Sequence, residues 1–202
     1  MKTIALTGTS RTELGKKSTK AIRNANLVPC VLYGGENNLH FTVTPMGLRD
    51  LIYTDEFRIA EVTVGSDVRK ALIKTVEFHP VTDKIMHVDL LELVEGKQVK
   101  AEIPIRLVGV AVGVKVGGVL MQKIRKVKVQ TTPDKLSSFI NVDVEHLELG
   151  KSIRIREIKV EDGIEIINAG GIPLASVEIP RALRSTEAKT EAEEAQEAGA
   201  EA

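Results

Sequence analysis

A chain of 202 residues with 43% apolar and 28% charged residues is long enough for one large or two modest domains with hydrophobic cores. A single cysteine, Cys30, excludes an intramolecular disulfide and suits a reducing cytoplasm. No stretch approaches the roughly 20 apolar residues of a membrane-spanning helix, and the first residues lack the apolar run of a signal peptide.

Aromatic residues make up 3% of the chain and tryptophan is absent, so any core must rest on Val, Ile and Leu. Residues 1–96 read as a β-rich domain with two helices. Thr3–Ser10 alternates loosely and predicts a strand. A basic helix follows, starting near Ser18 or Thr19, either of which can cap it. Leu27–Tyr33 and His40–Val43 predict strands joined through the turn-rich Gly34-Gly35-Glu36-Asn37-Asn38. Thr44 before Pro45 offers a cap and a proline at the first helical position, which predicts a short helix over Met46–Tyr53. Arg58–Val64, Val68–Phe78 and Lys84–Leu93 complete this set as strands, with Gly65-Ser66-Asp67 as a hairpin turn.

The polar break at Glu95-Gly96-Lys97 places a boundary there, and residues 97–182 read as a second β-rich domain. Val99–Val108, Val119–Met121, Ile124–Thr131, Ser152–Ile158 and Leu174–Ile179 carry the β-branched enrichment of strands. Val144–Leu149 before Gly150 suggests one helical turn closed by glycine. Gly109–Gly118 is glycine-rich enough to bulge or flex instead of forming a regular strand. The last segment, residues 183–202, is acidic, rich in Ala and Glu and nearly free of apolar side chains able to anchor it, and it reads as disordered.

The formal net charge is zero, yet charge is unevenly placed. Residues 1–40 carry six cations against two acids, residues 97–180 thirteen against ten, and residues 181–202 three against six. An acidic tail thus offsets basic segments, and the whole-chain balance is a poor guide to partners. The densest cationic run is Arg11 to Arg23, which holds Arg11, Lys16, Lys17, Lys20 and Arg23 against Glu13. At 100° per residue Lys16, Lys20 and Arg23 share a narrow arc, with Lys17 at its edge, and Ala21, Ile22 and Ala25 fall opposite. One side can dock on a core while the other is solvated or faces a polyanion. Tyr33, ending the next strand, adds a flat group able to pack against a ribose or base.

Arg11, Gly15-Lys16, Ile22-Arg23, Val28-Pro29, Val31 and Tyr33-Gly34 together resemble the start of the bacterial large-subunit ribosomal proteins of the L-twenty-five family. Far along the chain, His79-Pro80 and then His87-Val88-Asp89 match that family's second motif in the right order, and the remainder to about Pro180 resembles the second domain of its longer members, the general stress protein CTC form. The resemblance implies a barrel-like N-terminal RNA-binding domain followed by a second β-rich domain. It also implies 5S rRNA, at its loop E, as the ligand, with the large ribosomal subunit and neighbouring ribosomal proteins as surroundings in the cytoplasm. Contacts to RNA are implied for Arg11, Tyr33, His87, Asp89 and the basic helix, here Lys16, Lys20 and Arg23. Lys20 and Asn24 stand where members often have arginine, and lysine does not replace arginine's two-pronged hydrogen bonding.

From spacing alone, His87 and Asp89 lie two apart and project from one face of a strand. They read as an oriented imidazole for RNA or as a structural polar pair. Lys74 is a further RNA-facing candidate, and His79 before Pro80 suits a turn. Lys123 to Lys128 form a second cationic run, read as an edge strand guarded by lysine or as a contact to RNA or a neighbouring protein. Catalytic patterns are absent: there is no phosphate-cradling or nucleophile motif, no zinc spacing, and Cys30 falls in phase with Val28 and Leu32 as a buried small hydrophobe. The chain reads as no enzyme, with no cofactor, metal or small-molecule substrate. A protein-interaction module of the stress response and a His87–Asp89 hydrolase are the rival classes.

Overall fold

The structure is a computed structural model that describes residues 1–160 and 163–180. The acidic segment read as disordered lies outside the described residues. Contacts divide the chain into two compact units. Among the described residues, one holds Met1–Pro104, Lys128–Ile140 and those of 160–167, and the other holds Ile105–Val127, Asn141–Lys159 and those from Asn168 to Pro180.

In the first unit, β1 (Thr3–Ser10), β2 (Val28–Tyr33), β3 (Leu39–Val43), β4 (Ile59–Val64), β5 (Asp67–Phe78) and β6 (Ile85–Glu92) close into a barrel in the order β1-β3-β2-β6-β5-β4. β4 pairs back on β1 in parallel, as β2 does on β6, and the other pairs are antiparallel. The period of two along each strand decides what the barrel encloses. Val28, Cys30 and Leu32 point inward with Phe41, Val43, Val88 and Leu90, all nearly inaccessible. Burying such side chains stabilises by about 1.5–3 kcal/mol each. α2 (Pro45–Ile52) adds Leu48 and Leu51 to this core, closing the end at which β3 finishes and β4 begins. Its start follows the sequence signal: Thr44 Oγ1 accepts from the Gly47 amide at 3.4 Å, and Pro45 opens the helix. Gly65 and Ser66 make the β4–β5 turn, with Val64 paired to Asp67 and Gly65 at a φ of 63°.

Two further sheets follow. β7 (Val99–Val108), β9 (Lys126–Thr131), β10 (Ile140–Asp143) and β12 (Ile164–Ile166) run in the order β10-β7-β9-β12. β8 (Val119–Gln122), β11 (Ser152–Arg154) and β13 (Pro173–Glu178) run in the order β11-β13-β8.

Several expectations need correction. The helix preceding β2, α1 (Lys16–Asn24), starts before Ser18 and is capped by no side chain. Gly15, at a φ of 124°, supplies the backbone turn, while Ser18 and Thr19 donate their hydroxyls back to the carbonyls of Glu13 and Gly15. Glycine-rich 109–118 forms no strand, as expected, but contains a helical turn, α3 (Val112–Lys115), where a Cβ on Gly113 would meet the Leu149 amide nitrogen at 2.7 Å. Val144–Leu149 forms turns and no helix. The strand expected over Ser152–Ile158 ends at Arg154 and gives way to a 3-10 turn over Ile155–Glu157. β9 lies between β7 and β12 in the sheet order, with β12 paired to Val129, Gln130 and Thr131, just beyond the cationic run. Lys126 and Lys128 are exposed to either side of buried Val127, and Lys128 lies 3.7 Å from Glu102.

Candidate nucleic-acid interface

The sheet register assembles the outer face of the barrel from residues far apart in sequence. Val31 of β2 pairs with His40 of β3 on one side and with Asp89 of β6 on the other. These three therefore form an outward row, since their neighbours Cys30, Phe41 and Val88 point into the core. One step along, Pro29 faces Thr42, and His87 faces Glu77 of β5. One step the other way, Tyr33 stands beside Leu91. Adjacent strands are about 4.8 Å apart, so this face spans roughly 10 Å between His40 and Asp89.

His87 Nδ1 and Asp89 Oδ1 are 3.0 Å apart, with both side chains partly exposed. The carboxylate fixes the ring's orientation and leaves the opposite ring nitrogen to meet a ligand. Tyr33 is half-buried; burial and then the charge of Asp89 raise its hydroxyl above the ordinary range. It stays protonated at neutral pH and is available as a donor.

α1 packs against β2, but not by the arc expected from spacing. Ala21 and Ala25 are exposed, while Ser18, Thr19, Ile22 and Arg23 are half-buried. Arg23 thus leaves the outward arc and lies against the barrel, where its Nε donates to the Met86 carbonyl at 3.1 Å. Small alanines gain little from burial, whereas Ile22 and the long Arg23 stem cover more apolar surface, and the guanidinium finds a strand carbonyl. Lys16 and Lys20 remain exposed on the helix. Asn26, at a φ of 60°, ends the helix with its amide on the Arg23 carbonyl, a left-handed position that asparagine tolerates.

Arg11 follows β1 and its amide donates to the His40 carbonyl at 3.0 Å. Its Nε and Nη1, and Nδ1 of His40, are buried with no hydrogen-bond partner. His40 was not singled out by sequence, because a lone histidine in a short strand carries no motif; only the register reveals its place. Lys74 lies on β5, the strand beside His87 and Asp89 of β6. It sits at the bulge of β5 between Ile73 and Thr75, and its ammonium donates to the Lys100 carbonyl at 3.1 Å. The glycines after Tyr33 serve packing: a Cβ on Gly34 would lie 2.6 Å from Leu91, and one on Gly35 would run into the Glu92 carboxylate, itself 3.1 Å from Arg69. His79 lies in the β5–β6 turn, its Nδ1 accepting from the amides of Val81 and Thr82. Cys30 is inaccessible in the barrel core, where burial pushes its thiol up to about 12 against a weaker opposing pull from Arg11.

The arrangement has donors, one oriented imidazole and solvated cations, but no nucleophile placed beside a base. Among the described residues no three histidine, cysteine or acidic side chains gather as a metal site, and no helix is long and apolar enough to cross a membrane.

Comparison with known proteins bears on both halves of the chain. Residues 6–90 match the family model described as the Ribosomal L25p family, and residues 98–181 match that described as Ribosomal protein TL5, C-terminal domain. Large ribosomal subunit protein bL25 of Porphyromonas gingivalis is 42% identical over 191 residues, covering 94% of this chain and 99% of that protein. The proteins of the same name from Cytophaga hutchinsonii and Bacteroides fragilis are 41% and 39% identical, covering 93% of this chain and 97% and 98% of theirs. These relatives favour neither the stress-interaction reading nor the hydrolase. The chain belongs to the bacterial bL25 family of large-subunit ribosomal proteins, in its longer CTC-type form, a structural family without enzymatic activity.

Proposed function

We propose that this protein binds 5S rRNA at the loop E region through the outer face of its residues 1–96, and thereby fixes the RNA's conformation and position within the large subunit in the cytoplasm. The observation that carries this reading is the convergence on one barrel face of the His87–Asp89 pair, Tyr33 and Arg23, with Arg11 held to β3 on the far side of β2. Lys16, Lys20 and the free end of Arg23 meet phosphates and supply affinity. Tyr33, His87 and Asp89 test ribose hydroxyls and base edges, which non-standard pairs expose and regular A-form RNA hides. Asp89 repels phosphate, so its part is to orient His87 or accept from an amino or hydroxyl group. Lys74, beside Asp89 on the next strand with its ammonium on the Lys100 carbonyl, adds positive charge to this face.

The test is binding of the full-length chain to a loop E fragment and to a fully paired duplex of equal length, across a salt series. Preference for the loop supports shape-specific recognition. Equal, strongly salt-dependent binding to both would reduce the face to a generic cationic surface, and no binding to either would refute the assignment.

A further inference from the structure

His40 lies outside the residues assigned above, yet it occupies the same outward row as Asp89, with only Val31 between them. Its carbonyl takes the Arg11 amide, so the two residues are locked together at the strand end. Five buried side-chain nitrogen or oxygen atoms lack a partner among the described residues, and three of them belong to this pair: Arg11 Nε, Arg11 Nη1 and His40 Nδ1. The large majority of buried polar side-chain atoms are paired in folded proteins, so a concentration of unpaired ones beside a binding face points to donors kept for a ligand.

We infer that Arg11 and His40 together form a socket for an oxygen acceptor of the RNA, with His40 a specificity-determining residue of the binding face. This rests on the RNA-binding reading above. The guanidinium offers its fork to the oxygen, and His40 Nδ1 adds a hydrogen bond that fixes the direction of approach. Because the three atoms have no accessible surface in the free protein, the acceptor reaches them as the two side chains turn off the sheet. Arginine's flexible stem permits this turn without moving the strand. A phosphate oxygen and a base carbonyl share the required chemistry.

The test compares the full-length wild type with His40→Asn, His40→Gln and His40→Phe for binding to the loop E fragment and the paired duplex, with thermal unfolding in parallel. Asparagine places a polar atom near the position of Nδ1, glutamine near that of Nε2, and phenylalanine keeps the ring without either. The expected result is retention within twofold for His40→Asn and weakening of tenfold or more on the loop for the other two, with an unfolding midpoint for His40→Phe equal to or above that of the wild type. A loss equal on loop and duplex identifies a phosphate oxygen, and a loss confined to the loop identifies a base. Binding of all three variants within twofold of a loop-selective wild type overturns the role of His40 and leaves the broader reading intact. A wild type without loop selectivity removes both.

Discussion

Replacing Arg23 by alanine separates its structural bond from its proposed contact to RNA. Its Nε holds the Met86 carbonyl at 3.1 Å in a partly buried setting and so clasps α1 to β6. Losing such a bond costs about 1 kcal/mol, and for a chain of this size that lowers the unfolding midpoint by about 2–4 °C. On the proposed RNA-binding reading the remaining guanidinium nitrogens serve as the phosphate fork. Their loss weakens loop E binding by about 1–3 kcal/mol, roughly 5- to 150-fold, and lowers the slope of log affinity against log salt by about 0.7–0.9. Lys20→Ala is the matched control, because Lys20 is exposed and shows no clasping bond. It should reduce the salt slope similarly and leave the melting temperature within the scatter of surface substitutions. Fluorescence anisotropy on the full-length chain, with calorimetry alongside, reads both quantities. Lowered stability with unchanged affinity and slope in Arg23→Ala would refute the fork and leave Arg23 as a clasp alone.

Asp89→Asn, which removes the charge 3.0 Å from His87 Nδ1, should reduce the ratio of loop to duplex affinity by about 1–2 kcal/mol with little change in stability; an unchanged ratio excludes the pair from recognition. Gly34→Ala, at a φ of 101° and 2.6 Å from Leu91, should destabilise by about 1–3 kcal/mol in urea unfolding. Thr44→Ala should cost about 0.5–1 kcal/mol through loss of the α2 cap. Cys30 links stability to alkaline pH. Its folded value, about 12, exceeds the ordinary 9.0, so its contribution is complete below pH 9 and is lost as pH rises from 9 towards 12. At 1.36 kcal/mol per pH unit the loss is at most on the order of 4 kcal/mol. Cys30→Ala should flatten that decline in unfolding experiments between pH 8 and 11, and an unaltered slope would transfer the effect to other groups such as Tyr33.

Strand identity in the barrel was legible because alternation is a local signal, as in Val28-Cys30-Leu32 against Pro29-Val31-Tyr33. The α2 start was legible because Thr44-Pro45 states it in two residues. The docking side of α1 was not. Helical spacing ranks faces by hydrophobicity, and it missed that Arg23 could bury its stem and bond a carbonyl 63 positions away. Ser18 and Thr19 misled for a related reason: their hydroxyls can bond backward as readily as they cap, and Gly15 had already supplied the turn. The short strands β10 and β12 carry too few residues for a periodic signal, and their pairing is fixed by tertiary contacts. At the candidate site, the His87–Asp89 geometry follows from strand period alone. The nearness of Arg11 and His40 depends on β1, β3 and β2 lying side by side, which no local pattern records.

The parallel pairing of β2 with β6 also sets an order of events in time. β6 is the last barrel strand in the chain, yet it sits between β2 and β5, with Cys30 registered against Val88. Such distant pairings are slow to form, because the chain between them must be ordered before their contacts repay it. A nascent chain that has reached only β5 exposes the lysines of α1 but lacks His87, Asp89 and the carbonyl that seats Arg23. At that stage its residues 1–78 hold eleven cations against eight acids, a small positive excess concentrated in α1. On the proposed RNA-binding reading, selectivity arrives with the closing strand, so completion of the barrel and competence to discriminate among RNAs are the same kinetic step.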